Sequence, residues 1–185
     1  MQQLLTNLSS TINKDLVIAL ASNELVIKEN KENTDCKKII LKSRRKNIFA
    51  FSLDNDKIPN KCKMFYFFNQ KTKNITSVND AIIFYVENNI IYSLLIELKC
   101  KQLNEYKKQL QAGKSFMLYL LEILNNSFSK KYKIDEKNIK CLIFSLRKTA
   151  RKQGTKRKNI IYEETNGLQI AELQCNDNHM IEKFI

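Results

Sequence analysis

Asp80-Ala-Ile-Ile-Phe-Tyr-Val-Glu-Asn-Asn-Ile-Ile-Tyr-Ser-Leu-Leu-Ile-Glu97-Leu98-Lys99 is the stretch on which the fold turns. Two runs rich in β-branched and aromatic residues, 81–86 and 90–96, flank Glu87-Asn88-Asn89, and asparagine tolerates the positive φ of a tight turn. The pattern predicts a β-hairpin. Both runs are apolar on both faces, as in strands at the middle of a sheet covered on each side. There a carboxylate or an ammonium is costly unless it is paired, hydrated or bound to an ion.

Side chains alternate along a strand, so Glu97 and Lys99 share one face while Ile96 and Leu98 take the other. With a loop of two residues (Asn88, Asn89) or four (Glu87 to Ile90), pairing counted outward from the turn sets Asp80 opposite Glu97. Facing residues have Cβ atoms roughly 5 Å apart, so two carboxylates and an ammonium would converge on one spot. A three-residue loop would set Asp80 opposite Ile96 and turn it to the other face.

Facing carboxylates repel unless a cation lies between them, and oxygen-only ligands suit Mg²⁺ or Mn²⁺ rather than zinc. Mg²⁺ held by one or two carboxylates keeps most of its waters. It can then bind a phosphate oxygen and lower the pKa of an attacking water. Lys99 beside it would orient that water or stabilise charge on the phosphate. The chemistry indicated is phosphodiester hydrolysis.

Asp80, sixteen intervening residues and Glu97-Leu98-Lys99 after an apolar run resemble the active-site signature of the PD-(D/E)xK nuclease superfamily, the restriction-endonuclease-like fold. Its members often follow the Glu-x-Lys strand with a helix bearing Gln-Leu, matched here by Gln109-Leu110, and the similarity covers residues 36 to 146. Asn79 stands where the family name expects proline. The resemblance implies an α/β fold, a mixed central sheet flanked by helices in the order αβββαβ. It also implies Mg²⁺- or Mn²⁺-dependent endonucleolytic cleavage of DNA, in defence against foreign DNA or in repair or recombination. Asp80 and Glu97 would then hold the metal with the backbone carbonyl of Leu98, Lys99 would act on the nucleophilic water, and Gln109 would reach that water or a phosphate. An additional acid on the first helix, for which Glu24 is the candidate, and a homodimer that cuts both strands follow from the same resemblance.

At 185 residues the chain is long enough to bury a core without staples, and one domain is expected. Its net charge of +13 points to a polyanionic partner, with DNA ahead of RNA. Abundant Lys, Asn and Ile suggest AT-rich coding, but that bias alone need not leave the acids so outnumbered. Arg147, Lys148, Arg151, Lys152, Lys156, Arg157 and Lys158 fall within twelve residues around Gly154, with no acid among them. They read as an arm for phosphates that supplies affinity without sequence information. The same basic surface would serve a non-catalytic nucleic-acid-binding subunit, or a module that meets an acidic protein partner.

Five cysteines, an odd number without C-x-x-C spacing, argue against a disulfide framework or a zinc ribbon and favour a reducing cytoplasm. No run approaches the ~20 apolar residues of a membrane span, and no basic segment leads into an apolar core at the N-terminus. The one histidine, His179, reads as a surface residue, which argues against chemistries that need paired histidines. Gly113-Lys114-Ser115 ends like a P-loop, but Lys108 stands where that motif needs its first glycine, and the setting is helical.

Residues 1 to 30 read as helical from Leu4, Leu5, Leu8 and Ile12 and a continuing stripe of Leu16, Val17, Leu20 and Leu25, with Glu24 inside the second part. Strands are expected over 38–41, 48–53 and 64–68. A turn cluster runs from Asp54 and Asp56 to Pro59, and Tyr66 is a base-stacking candidate set against a plain core role. A helix over 104–126, a strand over 139–146 that completes a βαβ unit, and a closing hairpin around Asn166-Gly167 follow.

Overall fold

The Asn88-Asn89 turn takes the two-residue form: both asparagines have positive φ, 49° and 60°, and Glu87 pairs with Ile90. From there the ladder runs back to Ala81 opposite Ile96. The computed structural model describes residues 2–29, 36–53, 78–99, 106–146, 160–175 and 177–185. In chain order these form α1 (Gln2–Thr11), β1 (Val17–Ile18), β2 (Glu24–Lys28), β3 (Lys38–Lys42), β4 (Ile48–Phe51), β5 (Ala81–Glu87) and β6 (Ile90–Lys99). Then come α2 (Tyr106–Phe128), β7 (Ile139–Ser145), β8 (Glu163–Thr165), β9 (Leu168–Gln174) and β10 (His179–Met180).

Seven strands make one mixed sheet in the order β1-β4-β5-β6-β7-β9-β8, and β10-β3-β2 make a second. β6, β7 and β9 run parallel, while β4, β5 and β6 alternate in direction. The β6-α2-β7 crossover is the expected βαβ unit, so the chain is α/β, with a large mixed central sheet and two helices, which lie together on one face of it rather than flanking it. No helix among the described residues is long and apolar enough to cross a membrane.

The double-sided apolar pattern of β5 and β6 has a direct cause. Ile82, Phe84, Leu95 and Ile143 point to one face and pack with Leu4 and Leu8 of α1 and with Leu110, Met117, Leu121 and Leu124 of α2. The alternate residues Ile83, Leu94, Ile96, Leu142 and Phe144 point to the other face, against Leu25, Ile27, Ile39 and Leu41 of the small sheet and Ile181 and Phe184 beyond it. The central sheet thus lies between a helical layer and a β layer, and a polar side chain in its middle strands meets protein on either side.

Three expectations are corrected. The helix predicted to reach residue 30 ends at Thr11, and Glu24–Lys28 is a strand. There Leu25 and Ile27 are buried while Val26 and Lys28 are exposed, a period of two that the run of leucines and valines had disguised as a helical stripe. A turn through Ser22 and Asn23, with φ of 50° and 66°, enforces the break. The closing hairpin forms as expected through Asn166 and Gly167 (φ 51° and 70°), and its second strand, β9, also joins the central sheet parallel to β7. Cys36 and Cys175, 139 residues apart, form a disulfide, which removes the cysteine count as an argument for a reducing compartment. His179 is half-buried rather than a surface residue, its ring edge-on to Phe144 at 5.1 Å. The strand expected at 64–68, the turn cluster and Tyr66 lie outside the described residues.

Glu182 ties the C-terminal segment to the β3–β4 loop: its Oε1 accepts from the Ser43 hydroxyl at 2.8 Å and from the Arg44 backbone N–H at 2.7 Å. Burial pushes this carboxyl up, but those hydrogen bonds pull it further down, so its pKa lies below the usual range. A depressed carboxylate stabilises the fold above its unfolded pKa of about 4.3 and loses that effect as pH falls through the folded value. Glu182→Gln is therefore expected to lower the melting temperature at pH 7 and to melt like the parent near pH 2.5. Thermal unfolding followed by circular dichroism at both pH values measures this.

Candidate functional site

The ladder between β5 and β6 ends at Ala81–Ile96, and the next step outward sets Asp80 opposite Glu97. β5 gives way there: the Leu98 backbone N–H donates at 2.5 Å to Asp80 Oδ2, so a side chain takes the place of the strand partner. In an extended strand the N–H and C=O of one residue point to the same side, so the Leu98 carbonyl also faces Asp80. Both acids are almost wholly buried, Asp80 at 4% exposure and Glu97 at 1%.

Lys99, two residues on and on the same face, brings its Nζ within 2.6 Å of Glu97 Oε1. From α2, Gln109 Oε1 accepts a hydrogen bond from the same Nζ. Four residues identified from sequence, Asp80, Glu97, Lys99 and Gln109, are therefore brought to one place, at the end of the sheet where parallel strands β6 and β7 finish.

Glu24 is not among them. It lies on β2, forms an ion pair with Lys42 at 3.2 Å, and alternates with Leu25 and Ile27, which face the central sheet. It points outward from the small sheet, whereas Asp80 and Glu97 share the face of Ile82 and Leu95, which packs on the helices. Two layers separate it from the site. The seven basic residues 147–158 lie outside the described residues.

Asn79 carries more than its reading as a departure from the family pattern suggested. It is fully buried, and its Nδ2 donates to Glu97 Oε2 at 3.4 Å. Its Oδ1, with no hydrogen-bond partner, lies against α2 where a Cβ on Gly113 would come within 1.4 Å. One of only three glycines in the chain thus sits mid-helix because Asn79 occupies the space of a side chain. The signal was present in the sequence as a helix-interior glycine, a choice that costs about 1 kcal/mol against alanine unless packing demands it.

Gly113→Ala gains that helix propensity but drives a methyl into a packed amide, an overpacking cost of about 1–3 kcal/mol. The substitution is expected to destabilise the native chain and to stabilise the Asn79→Ala variant. Melting temperatures of the four proteins in this double-mutant cycle test the reversal of sign.

The neighbouring Gly113-Lys114-Ser115 is no phosphate loop: Lys114 Nζ is held by Glu136 and by the Gly167 carbonyl, both at 3.1 Å, and pins the β8–β9 turn to α2. Across the sheet from Lys99, Ser145 occupies the paired position on β7, buried and with no partner for its hydroxyl. Sequence reasoning passed over Ser145 because only register brings it to the site. The free thiol Cys141 lies deeper on the same strand, where burial pushes its pKa up to about 12 and keeps it out of nucleophilic chemistry.

The donor set fits a hard divalent cation. Two carboxylates and a backbone carbonyl supply oxygen only, and Mg²⁺ or Mn²⁺ with few protein ligands completes its shell with water. Among the described residues, no group of three or more His, Cys, Asp or Glu forms a protein-only cage. Compared with protein-family models, with curated proteins and with solved structures, the chain matches none.

Proposed function

We propose that the protein is a metal-dependent nuclease that hydrolyses DNA phosphodiester bonds at Asp80, Glu97 and Lys99. One observation carries the reading: two acids and a lysine, each expensive to bury, converge from adjacent strands on a single nearly buried spot, with Gln109 directed onto the lysine. Asp80 and Glu97 would hold Mg²⁺ or Mn²⁺, with the Leu98 carbonyl as a further donor. That cation would supply a water of lowered pKa and a clamp on the scissile phosphate. Lys99, steadied by Gln109, orients the attacking water or offsets charge on phosphorus. The net charge of +13, with seven bases following β7 in sequence, supports nucleic acid as the substrate.

A second reading has an observation of its own. Lys99 already offsets the charge of Glu97, and the Leu98 N–H serves Asp80, so both acids have partners within the protein. This favours a non-catalytic nucleic-acid-binding subunit. Incubation of the protein with supercoiled plasmid in Mg²⁺, Mn²⁺ or EDTA separates the two: nicking in metal alone is expected of the nuclease. DNA binding without strand breaks in any metal would sink it.

A further inference from the structure

We propose that Asn79 is a positioning residue for Glu97, fixing the orientation in which that carboxylate meets a divalent cation. The proposal rests on the metal-dependent reading of the site and adds to it a residue that would touch neither metal nor substrate.

Glu97 is held from both sides. Lys99 Nζ lies 2.6 Å from its Oε1, and Asn79 Nδ2 donates to its Oε2 at 3.4 Å. The last torsion of a glutamate is broad, so a carboxylate anchored through one oxygen still turns about its Cγ–Cδ bond. Separate partners on the two oxygens stop that turn. Mg²⁺ demands near-ideal octahedral geometry, so a carboxylate whose plane is free to swing binds it less well.

Asn79 can fix Glu97 because it is itself fixed. It is fully buried, and its Oδ1 fills the space that a Cβ on Gly113 would take. The amide has one workable arrangement there, since turning it over would set its carbonyl against Glu97 Oε2, acceptor against acceptor. That arrangement leaves Oδ1 buried with no hydrogen-bond partner, a cost the fold bears for what Nδ2 holds.

The helix takes part as well. Gly113 follows Gln109 by four residues, so the two lie on one face of α2. Contacts therefore run in a closed circuit, from Gln109 to Lys99, from Lys99 to Glu97, from Glu97 to Asn79, and back to α2 at Gly113. Asp80, directly after Asn79, accepts from the Leu98 N–H, so neighbouring residues grip the Glu97 side chain and the Leu98 backbone. Both proposed carboxylate ligands are thereby set relative to each other before any cation arrives.

The test reads metal binding without DNA. Mn²⁺ is titrated into the parent and four variants, free Mn²⁺ is counted by electron paramagnetic resonance, and the melting temperature of each protein is taken without metal. Asn79→Leu fills the same buried space without the amide. It is expected to melt close to the parent and to bind Mn²⁺ about 10–100-fold more weakly, the loss usual when a hydrogen-bond partner of a metal ligand is removed. Asn79→Ala and Gly113→Ala are expected to fall in both stability and affinity. In Asn79→Ala/Gly113→Ala the melting temperature should rise above that of Asn79→Ala while Mn²⁺ affinity stays as low, a separation that a merely structural role does not produce. Mn²⁺ affinity within about threefold of the parent in Asn79→Leu, or affinity that returns with the melting temperature in the double variant, overturns the proposal and leaves the metal site standing. A parent that binds no Mn²⁺ removes the metal site, and the role of Asn79 with it.

Discussion

Asp80→Asn and Lys99→Ala are each expected to reduce metal-dependent plasmid cleavage by about 10²–10³-fold while DNA binding persists, the loss typical when one preorganised charge is removed from a reacting centre. The two substitutions act differently. Asparagine keeps the shape of Asp80 and an oxygen that still accepts from the Leu98 N–H, so the local strand geometry survives while half of the carboxylate charge facing the cation is lost. Alanine at 99 removes the cation 2.6 Å from Glu97, a residue at 1% exposure. It leaves a buried carboxylate without its ion pair, and breaking such a pair costs about 3–5 kcal/mol. Lys99→Ala must therefore be read beside its melting temperature, and a divalent cation that occupies the site should restore part of the stability by offsetting the charge on Glu97. Stabilisation of Lys99→Ala by millimolar Mn²⁺, absent for Asp80→Asn/Glu97→Gln, would report the metal site independently of cleavage. Wild-type rates from either single variant, or cleavage by the parent in EDTA, would remove these residues from the chemistry.

The hairpin was legible because its information is local. Two asparagines at positive φ fix a two-residue turn, the turn fixes the register, and the register alone carries Asp80 to Glu97, ten residues of strand away from the loop at most. The βαβ unit was legible for the same reason, as an apolar helix between two apolar strands with few topologies open to it. What failed was non-local. Leu16, Val17, Leu20 and Leu25 fit a helical stripe as well as two short strands, and only the small sheet packed beneath the central one decides between them. Glu24 went astray with that stripe. Ser145 and Asn79 gave no motif: one reaches the site through a parallel pairing across a helix, the other through a glycine 34 residues downstream. The cysteine pairing likewise joins residues that nothing in the spacing connects.

Reduction of the Cys36–Cys175 disulfide is expected to have the largest effect on stability of any change outside the core. The bond closes a loop of 139 residues, and the chain-entropy relation puts the cost of reopening it at about 5 kcal/mol, with 2–4 kcal/mol the usual measured range. For a chain of this size each kcal/mol moves the melting temperature by about 2–4 °C, so a fall of roughly 10 °C is expected in strong reductant. The position of the bond says where the loosening occurs. Cys175 directly follows β9, its N–H donating to the Ser145 carbonyl at 3.0 Å, and Cys36 lies two residues before β3. The bond thus fastens the small sheet to the end of the parallel strands. Asp80, Glu97, Lys99 and Gln109 stand on β6, on α2 and at the entry to β5, and the side chains of Asp80, Glu97 and Lys99 lie on the helical face of the central sheet, away from the small sheet. Cleavage at 25 °C should consequently persist in reductant within about threefold, while the temperature at which activity is lost drops with the melting temperature. Cys36→Ala is the companion variant: it should melt like the reduced parent and no longer respond to reductant. A parent whose melting is unmoved by reductant, with both thiols alkylated in the folded state, would show that the two cysteines do not pair, and the small sheet would then be held by its apolar face alone.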